Sequence, residues 1–234
     1  FVATFLFVGI YVPFWPLWLA SRGLNPEEIA IVIAVTTWLR AIGPPIVADL
    51  ADRHGERWRA IIALQIATFL SYPLFALAGS LWTILAVTVV TVLVHSPIYP
   101  LVDNLVMRSA HERGFDYGRV RLWGSMSFIA TASAAGAFVA VRPAGELLWL
   151  LVAVCGLALC AALALPRARP APLRPGRGPT RTLIANRTFL AFLACAGLIP
   201  ASHAAYYGFG TLHWQASGYS EEVIGALWAE GVIV

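Results

Sequence analysis

The chain contains no lysine and little charge of either sign. All 16 basic residues are arginine, and charged residues make up only 12% of the sequence, against 59% hydrophobic residues. A soluble domain carries about 25% charged residues, so a water-soluble protein of this composition would expose far too much apolar surface. The composition therefore excludes the soluble classes and predicts a membrane protein.

Cysteine and the motifs of enzymes are also scarce. The three cysteines lie in apolar segments, which favours buried thiols over a disulfide or a metal site. No His-Glu-x-x-His or Gly-x-Ser-x-Gly sequence occurs, and histidines and aspartates do not cluster. We therefore expect no catalytic residue, metal or cofactor, and a membrane-embedded enzyme is a remote alternative.

Long apolar runs dominate the sequence. A membrane-spanning helix needs about 20 apolar residues. Seven complete candidates cover residues 1–21, 27–48, 58–79, 81–106, 119–141, 147–165 and 188–212, and an eighth begins near residue 221. The first and last residues lie inside apolar runs, so we expect a fragment of a longer all-α integral membrane protein, with seven complete membrane-spanning helices and the start of an eighth.

Arginine is distributed unequally between the loops. All but three of the 16 arginines follow the second, fourth and sixth predicted spans. The positive-inside rule places these loops and the amino terminus in the cytoplasm. The loop at 166–187 combines arginine and proline without a hydrophobic pattern, so we predict a flexible linker there, between a six-helix bundle at 1–165 and the start of a second bundle at 188–234. A membrane-surface loop explains its charge, and we expect no nucleic-acid partner.

A short sequence pattern occurs twice. The first copy is Trp18-Leu19-Ala20-Ser21, which is followed by Gly23 and by a helix start with acidic residues. The second copy is Trp214-Gln215-Ala216-Ser217, which is followed by Gly218 and by a second acidic helix start. The match favours a parallel repeat of six spans, a build known from one large class of transporters. The match is short, so coincidence is the alternative.

The loop after the second span carries a family motif. Residues 48–57 read Ala-Asp-Leu-Ala-Asp-Arg-His-Gly-Glu-Arg, which resembles the G-x-L-A-D-R-x-G-R-[RK] loop of the major facilitator superfamily, with Ala48 and Glu56 departing from it. The resemblance implies the superfamily's fold of two six-helix bundles. It also implies that Asp52, Arg53 and Arg57 form a cytoplasmic gate between the bundles.

Three further stretches narrow the resemblance. Residues 12–15 (Val-Pro-Phe-Trp), 116–125 and 203–209 are similar to the 3-phenylpropionate transporter group, which is related to lactose permease-like symporters. In those symporters an acid in span four and an arginine in span five bind substrate, and an aromatic ring seven residues later stacks on it. The matching residues here are Asp103, Arg121 and Phe128.

Helix geometry fits these assignments. Arg121 and Phe128 are seven residues apart and share a helix face to within about 20°. Together they would offer a guanidinium to a carboxylate and a ring to an apolar body. We expect Asp103 to pair with Arg121 in the empty site and to couple proton uptake to substrate binding. A static structural ion pair is the alternative.

Other polar residues inside the spans are candidates as well. Arg40 must face the protein interior or a wet cavity, where it would bind an anion or pair with an acid such as Asp103 or Asp49. His203 and Tyr207 lie four residues apart on span seven and would contact substrate or relay protons. A hydrogen bond between helices is the alternative for them. We expect His95 to serve packing, and the role of Glu230 stays open.

The sequence thus predicts a secondary transporter in a bacterial cytoplasmic membrane. Its cargo would be a small organic anion, such as an aromatic carboxylate, carried with a proton. A neutral sugar or a nucleoside is the alternative cargo. The expected partners are the substrate, the proton and the lipid bilayer, and the expected state is a monomer.

Overall fold

The computed structural model describes residues 1–54, 57–165 and 185–233, and every regular element in these ranges is helical. We number the α-helices α1 to α10. They are Val2–Ser21, Pro26–His54, Arg57–Ser71, Leu81–His95, Ile98–Arg113, Tyr117–Val141, Leu147–Leu163, Arg187–Ser202, Ala204–Ala216 and Glu221–Ile233. In the described ranges, seven helical segments are long and apolar enough to cross a membrane. The predicted all-α membrane fold is confirmed.

Three predicted spans are interrupted rather than continuous. Span three passes from α3 into a 3-10 helix, Tyr72–Leu77, with Pro73 in its first turn. Span four breaks between α4 and α5, where Pro97 has no N–H to continue the ladder of α4. Span seven breaks at His203, between α8 and α9. By contrast, α1 and α2 contain their prolines without interruption.

The repeated sequence pattern folds into the same turn twice. Gly23 and Gly218 both adopt the left-handed conformation, with φ of 85° and 87°. Leu24 N donates to the Leu19 carbonyl, and Tyr219 N donates to the Trp214 carbonyl, the same step of five residues at the end of α1 and of α9. The local geometry matches the expected repeat, whereas the bundle boundaries stay a prediction.

Helix α1 lies at the centre of the packing. Its side chains Phe14, Trp18 and Leu19 are almost completely buried, and it contacts α6, α7 and α9. Helix α6 packs on α1 from one side and on α10 from the other. Because α9 and α10 belong to the predicted second bundle, α1 and α6 carry most of its contact with the first.

Glycine allows α6 to approach both of its neighbours closely. A Cβ atom on Gly136 would lie 2.5 Å from the Glu221 carbonyl oxygen, and one on Gly225 would lie 2.7 Å from the Ala132 carbonyl oxygen. On the other side, a Cβ atom on Gly9 of α1 would lie 2.7 Å from the Phe128 carbonyl oxygen. At Gly136 and Gly225 the nearest atoms are all backbone, so α6 and α10 touch without intervening side chains. At Gly9, by contrast, the Thr131 side chain also approaches.

Some predicted features lie outside the described residues. The linker is described only from residue 185 onward. Asp52 and Arg53 fall in the last turn of α2, and Arg57 is the first residue of α3, but the description does not extend to their side chains. Their gating role therefore stays a prediction.

The helix crossing at Gly136 makes a testable prediction. Gly136→Ala should lower the free energy of unfolding by about 1–3 kcal/mol, because the added methyl group meets a backbone carbonyl that cannot rotate away. Gly79→Ala is the matched control, since a Cβ atom there has no neighbour within 4 Å. Thermal unfolding of the purified full-length protein compares the two. Equal stability of both variants would contradict the close crossing of α6 and α10.

Candidate functional site

A cavity of about 780 Å³ lies between the helices of the two predicted bundles. This is the size of a pocket for a small molecule. Its lining comes from α1, α2 and α6 on one side and from α8, α9 and α10 on the other, and most of it is apolar or aromatic. Among the lining residues, Arg40 alone carries a charged side chain.

The α1 wall of the cavity is a stack of aromatic rings. The Tyr11 and Trp15 ring centres are 5.2 Å apart, and those of Trp15 and Trp18 are 4.6 Å apart, with nearly parallel planes. Steps of four and three residues place these rings on one helix face. Tyr11 and Trp15 line the cavity, and the buried Trp15 Nε1 has no hydrogen-bond partner among the described residues. The cavity therefore offers a ligand a flat aromatic surface.

Arg40 of α2 stands over this wall. Its Cζ atom is 5.3 Å from the centre of the Tyr11 ring, within the range of a cation–π interaction. Within the described part of the chain, Arg40 makes no ion pair with an acidic side chain. The expected alternative, a pair with Asp103, is therefore absent, while the Asp49 side chain lies outside the description. Arg40 therefore brings a positive charge to the cavity lining that no acidic side chain of the described residues neutralises.

The opposite wall comes from α9 and α10. The rings of Tyr206 and Tyr207 lie 4.8 and 5.8 Å from the ring of Trp228, and all three residues line the cavity. Tyr207 therefore lines the cavity, whereas His203, the other residue predicted on span seven, is not among the lining residues. The His203 Nδ1 atom lies 2.8 Å from the Ile199 carbonyl oxygen at the break between α8 and α9, and its ring stacks on Tyr207. Its contact with a substrate stays a prediction.

A buried hydrogen-bond chain joins the two walls. The indole N–H of Trp228 donates to the Thr211 hydroxyl at 2.9 Å, and that hydroxyl donates to the carbonyl of Pro13. Thr211 and Trp228 are only 2% and 3% exposed. Because these hydrogen bonds run from α10 through α9 to α1, they fix α9 and α10 against α1.

The structure separates two residues that were predicted to share one wall. Phe128 of α6 is buried and lines the cavity, as expected. Arg121 does not line it, because seven residues along a helix amount to about 10 Å as well as nearly two turns. Sharing a helix face did not bring the guanidinium to the cavity.

The predicted ion pair between Asp103 and Arg121 is not formed. Two tyrosines stand between these residues instead. The Tyr117 hydroxyl donates to Asp103 Oδ1 at 2.6 Å, and Arg121 Nη1 donates to the Tyr99 hydroxyl at 3.4 Å. The structure thus brings the acid and the base into one polar cluster at the start of α6, outside the cavity lining.

Sequence reasoning missed several residues of the site. Tyr11, Trp15 and Trp228 line the cavity, and Tyr117 holds Asp103. The three- and four-residue spacing of the α1 aromatic residues was a signal that could have found Tyr11 and Trp15. No comparable pattern marks Trp228, since its role depends on where α10 crosses α9.

The comparisons with known proteins agree with this architecture. The model of the MFS_1-like family matches residues 1–234. The chain belongs to the major facilitator superfamily. The resemblance that its motifs predict is therefore confirmed, and it places the protein in a family of membrane transporters.

The chain is similar to transporters with different named cargoes. It is 34% identical to the probable 3-phenylpropionic acid transporter of Escherichia coli (strain K12) over 232 residues, 98% of this chain and 61% of that protein. It is 30% identical to the maltose permease of Geobacillus stearothermophilus over 187 residues, 74% of this chain and 46% of that protein. The chain therefore spans less than two thirds of either relative.

A solved structure shows the same fold. The nucleoside transporter NupG superposes with a TM-score of 0.74 over 89% of this chain and 54% of that chain, at 14% sequence identity. At this identity the likeness establishes the superfamily's helical architecture alone.

The hydrogen-bond chain at Thr211 makes the prediction of this section. Thr211→Val should lower the free energy of unfolding by about 1–3 kcal/mol, because the buried Trp228 N–H loses its acceptor. Thr211→Ser is the control, since it keeps the hydroxyl. Thermal unfolding of the purified transporter measures both. A valine variant as stable as the serine variant would show that this chain does not fix α9 and α10 to α1.

Proposed function

We propose that the protein is a secondary active transporter that moves a small organic anion across the cytoplasmic membrane by proton symport with alternating access. The cargo we propose is an aromatic carboxylate such as 3-phenylpropionate. The observation that carries the proposal is the position of Arg40, the sole charged side chain among the cavity-lining residues, over an aromatic wall.

Arginine suits a carboxylate for a physical reason. The guanidinium stays protonated at every physiological pH and can offer two parallel N–H donors to the two carboxylate oxygens. A charge at membrane depth is costly, so an unpaired arginine facing a cavity is most readily explained by an anion that binds there. Arg40 lacks an acidic partner among the described residues, which supports this role.

The remaining lining suits an aromatic body. Tyr11 and Trp15 form one wall, Tyr207 and Trp228 form the other, and Phe128 adds a further ring from α6. Aromatic rings bind one another in stacked or edge-to-face pairs worth about 0.5–1.5 kcal/mol beyond the area they bury. The similarity to the probable 3-phenylpropionic acid transporter supports the same cargo.

The cavity is closed at one end by contacts between the bundles. Gly136 of α6 is in contact with Gly225 of α10. On each helix this contact lies about one turn or more away from the nearest residue that lines the cavity. The arginine distribution predicts a cytoplasmic amino terminus, and with that topology the closed end faces outward. We therefore assign the structure to the inward-facing stage of the transport cycle, with Asp52, Arg53 and Arg57 as the cytoplasmic gate that must close in the next stage.

The polar cluster at the start of α6 is our proposed proton-coupling element. Asp103 accepts a hydrogen bond from Tyr117, which interacts with Arg121 as well. Protonation of Asp103 would weaken the hydrogen bond that it accepts from Tyr117, and Arg121 could then move. We also propose that Arg121 and His203 bind the substrate directly at other stages of the transport cycle.

A neutral sugar or a nucleoside is the alternative cargo. The similarity to maltose permease supports a sugar. A neutral cargo would leave the positive charge of Arg40 without a counterion, and for this reason we favour an anionic cargo. The protein is expected to act as a monomer in the bilayer.

Uptake of radiolabelled 3-phenylpropionate by cells that produce the full-length protein tests the proposal. We expect accumulation that a protonophore abolishes, because the proton gradient supplies the driving force. Cells without the transporter provide the background. Absence of uptake, with the protein present in the membrane, would contradict the proposed cargo and direct the same assay to sugars and nucleosides.

Arg40 makes a sharper prediction in that assay. Arg40→Gln should raise the KM by about tenfold to a hundredfold, since a hydrogen bond to a charged group contributes about 1.5–3 kcal/mol. Arg142→Gln is the control, because Arg142 is exposed and pairs with Glu146 outside the cavity. A variant with lower protein level but unchanged KM would assign Arg40 a structural role instead.

A further inference from the structure

Helices α1 and α9 carry a tyrosine at equivalent positions of the sequence repeat. Gly23 and Gly218 form the same turn after these helices and are 195 residues apart. The same step of 195 residues leads from Tyr11 to Tyr206. Both tyrosines line the cavity. Each of the two predicted bundles therefore contributes one phenol of a matched pair to the walls of the candidate site.

The two tyrosines lie on the same side of the crossing between α1 and α9. The hydrogen bond from the Thr211 hydroxyl to the Pro13 carbonyl marks that crossing. Tyr11 precedes Pro13 by two residues and Tyr206 precedes Thr211 by five, which correspond to about 3 Å and about 8 Å along the helix axes. Helices related by a parallel repeat run in the same direction, so both phenols stand where α1 and α9 separate to form the cavity.

Tyr11 is already engaged by the protein. The Arg40 Cζ atom lies 5.3 Å from the centre of its ring. The same ring stacks on Phe7 and on Trp15, with ring centres 5.4 Å and 5.2 Å away. Tyr11 therefore belongs to the end of the site where we place the carboxylate of the cargo.

Tyr206 has no charged side chain in the corresponding place. Its ring packs at an angle against Trp214 and Trp228, and 37% of the residue is exposed. A Cβ atom on Gly231, another lining residue, would lie 3.8 Å from the Tyr206 hydroxyl. Among the described residues this hydroxyl makes no hydrogen bond. It therefore stands at the cavity surface and can bond to a ligand.

Other polar side-chain groups on this wall are few. Among the lining residues from α8, α9 and α10, only Tyr206, Tyr207 and Trp228 have a nitrogen or oxygen atom in the side chain. The Trp228 N–H donates to the Thr211 hydroxyl and is not available to a ligand. The two tyrosine hydroxyls are therefore the groups of this wall that can bind a polar part of the cargo.

Position distinguishes these two tyrosines. Val12 stands at the position of α1 that is equivalent to Tyr207, so Tyr206 alone has a phenol as its counterpart. Repeats of this kind are related by an axis along the membrane normal, which places equivalent residues on opposite sides of that axis. Tyr206 is therefore the phenol that stands across the cavity from Tyr11 and Arg40.

We propose that Tyr206 binds a hydroxyl group on the aromatic ring of the cargo, and that ring-hydroxylated aryl acids are the preferred substrate class. With the carboxylate on Arg40, the ring extends across the cavity and its far edge meets the α9 wall. A phenol hydroxyl both donates and accepts hydrogen bonds, which suits a hydroxyl partner. This inference rests on the proposed anion function.

Displacement of radiolabelled 3-phenylpropionate from the purified full-length transporter tests the inference. The unlabelled competitors are 3-phenylpropionate and its 2-, 3- and 4-hydroxyphenyl analogues. The 3- or the 4-hydroxyphenyl acid should bind to the wild type about threefold to tenfold more tightly than the unsubstituted acid, the usual net effect of one hydrogen bond. The 2-hydroxyphenyl acid should show no such gain, because its hydroxyl lies at the carboxylate end of the molecule.

Tyr206→Phe removes the hydroxyl and keeps the ring. In this variant the ratio of the two dissociation constants, for the unsubstituted and the preferred hydroxylated acid, should fall to about one. Tyr219→Phe is the matched control and should keep the wild-type ratio, since Tyr219 is 51% exposed in the turn after α9 and does not line the cavity. A ratio is measured within each variant, so a general change in affinity does not affect it.

The outcomes separate this inference from the proposed function. A wild type that binds all four acids equally overturns the inference, leaves the anion function intact and needs no variant. A wild-type ratio in Tyr206→Phe also overturns it, and loss of the preference in Tyr207→Phe alone assigns the contact to Tyr207 instead. A wild type that binds none of the acids rejects the proposed function, and the inference with it.

Discussion

The close contact of α6 with α1 and α10 is the constraint on which the rest of the structure depends. Lipid tails are as apolar as leucine, so membrane helices gain little from hiding side chains and associate through close packing. Gly9, Gly136 and Gly225 allow backbone to meet backbone at these crossings. Since the same helices also line the cavity, the contacts fix where it ends. The Thr211 hydroxyl adds a directional bond at this end, from α9 to the Pro13 carbonyl of α1.

A positive charge in such a cavity needs compensation, and α1 provides part of it. The Tyr11 ring beneath Arg40 offers its negative face, but a cation–π interaction contributes only about 0.5–2 kcal/mol and does not replace an anion. The Tyr11 ring thus holds the guanidinium in place without neutralising its charge. The lining residues combine aromatic rings with one guanidinium and include no acid, and this combination is the reason why we propose an anionic cargo.

Much of the fold followed from the sequence, because its signals are local. Apolar length located the spans, and the repeated Trp-to-Gly pattern predicted a repeat, in which Gly23 and Gly218 adopt the same left-handed conformation. The site was harder to predict because it depends on distances between helices. Periodicity placed Arg121 and Phe128 on one face correctly, yet it does not say how far along that face the cavity extends. It also could not reveal that Tyr99 and Tyr117 would stand between Asp103 and Arg121.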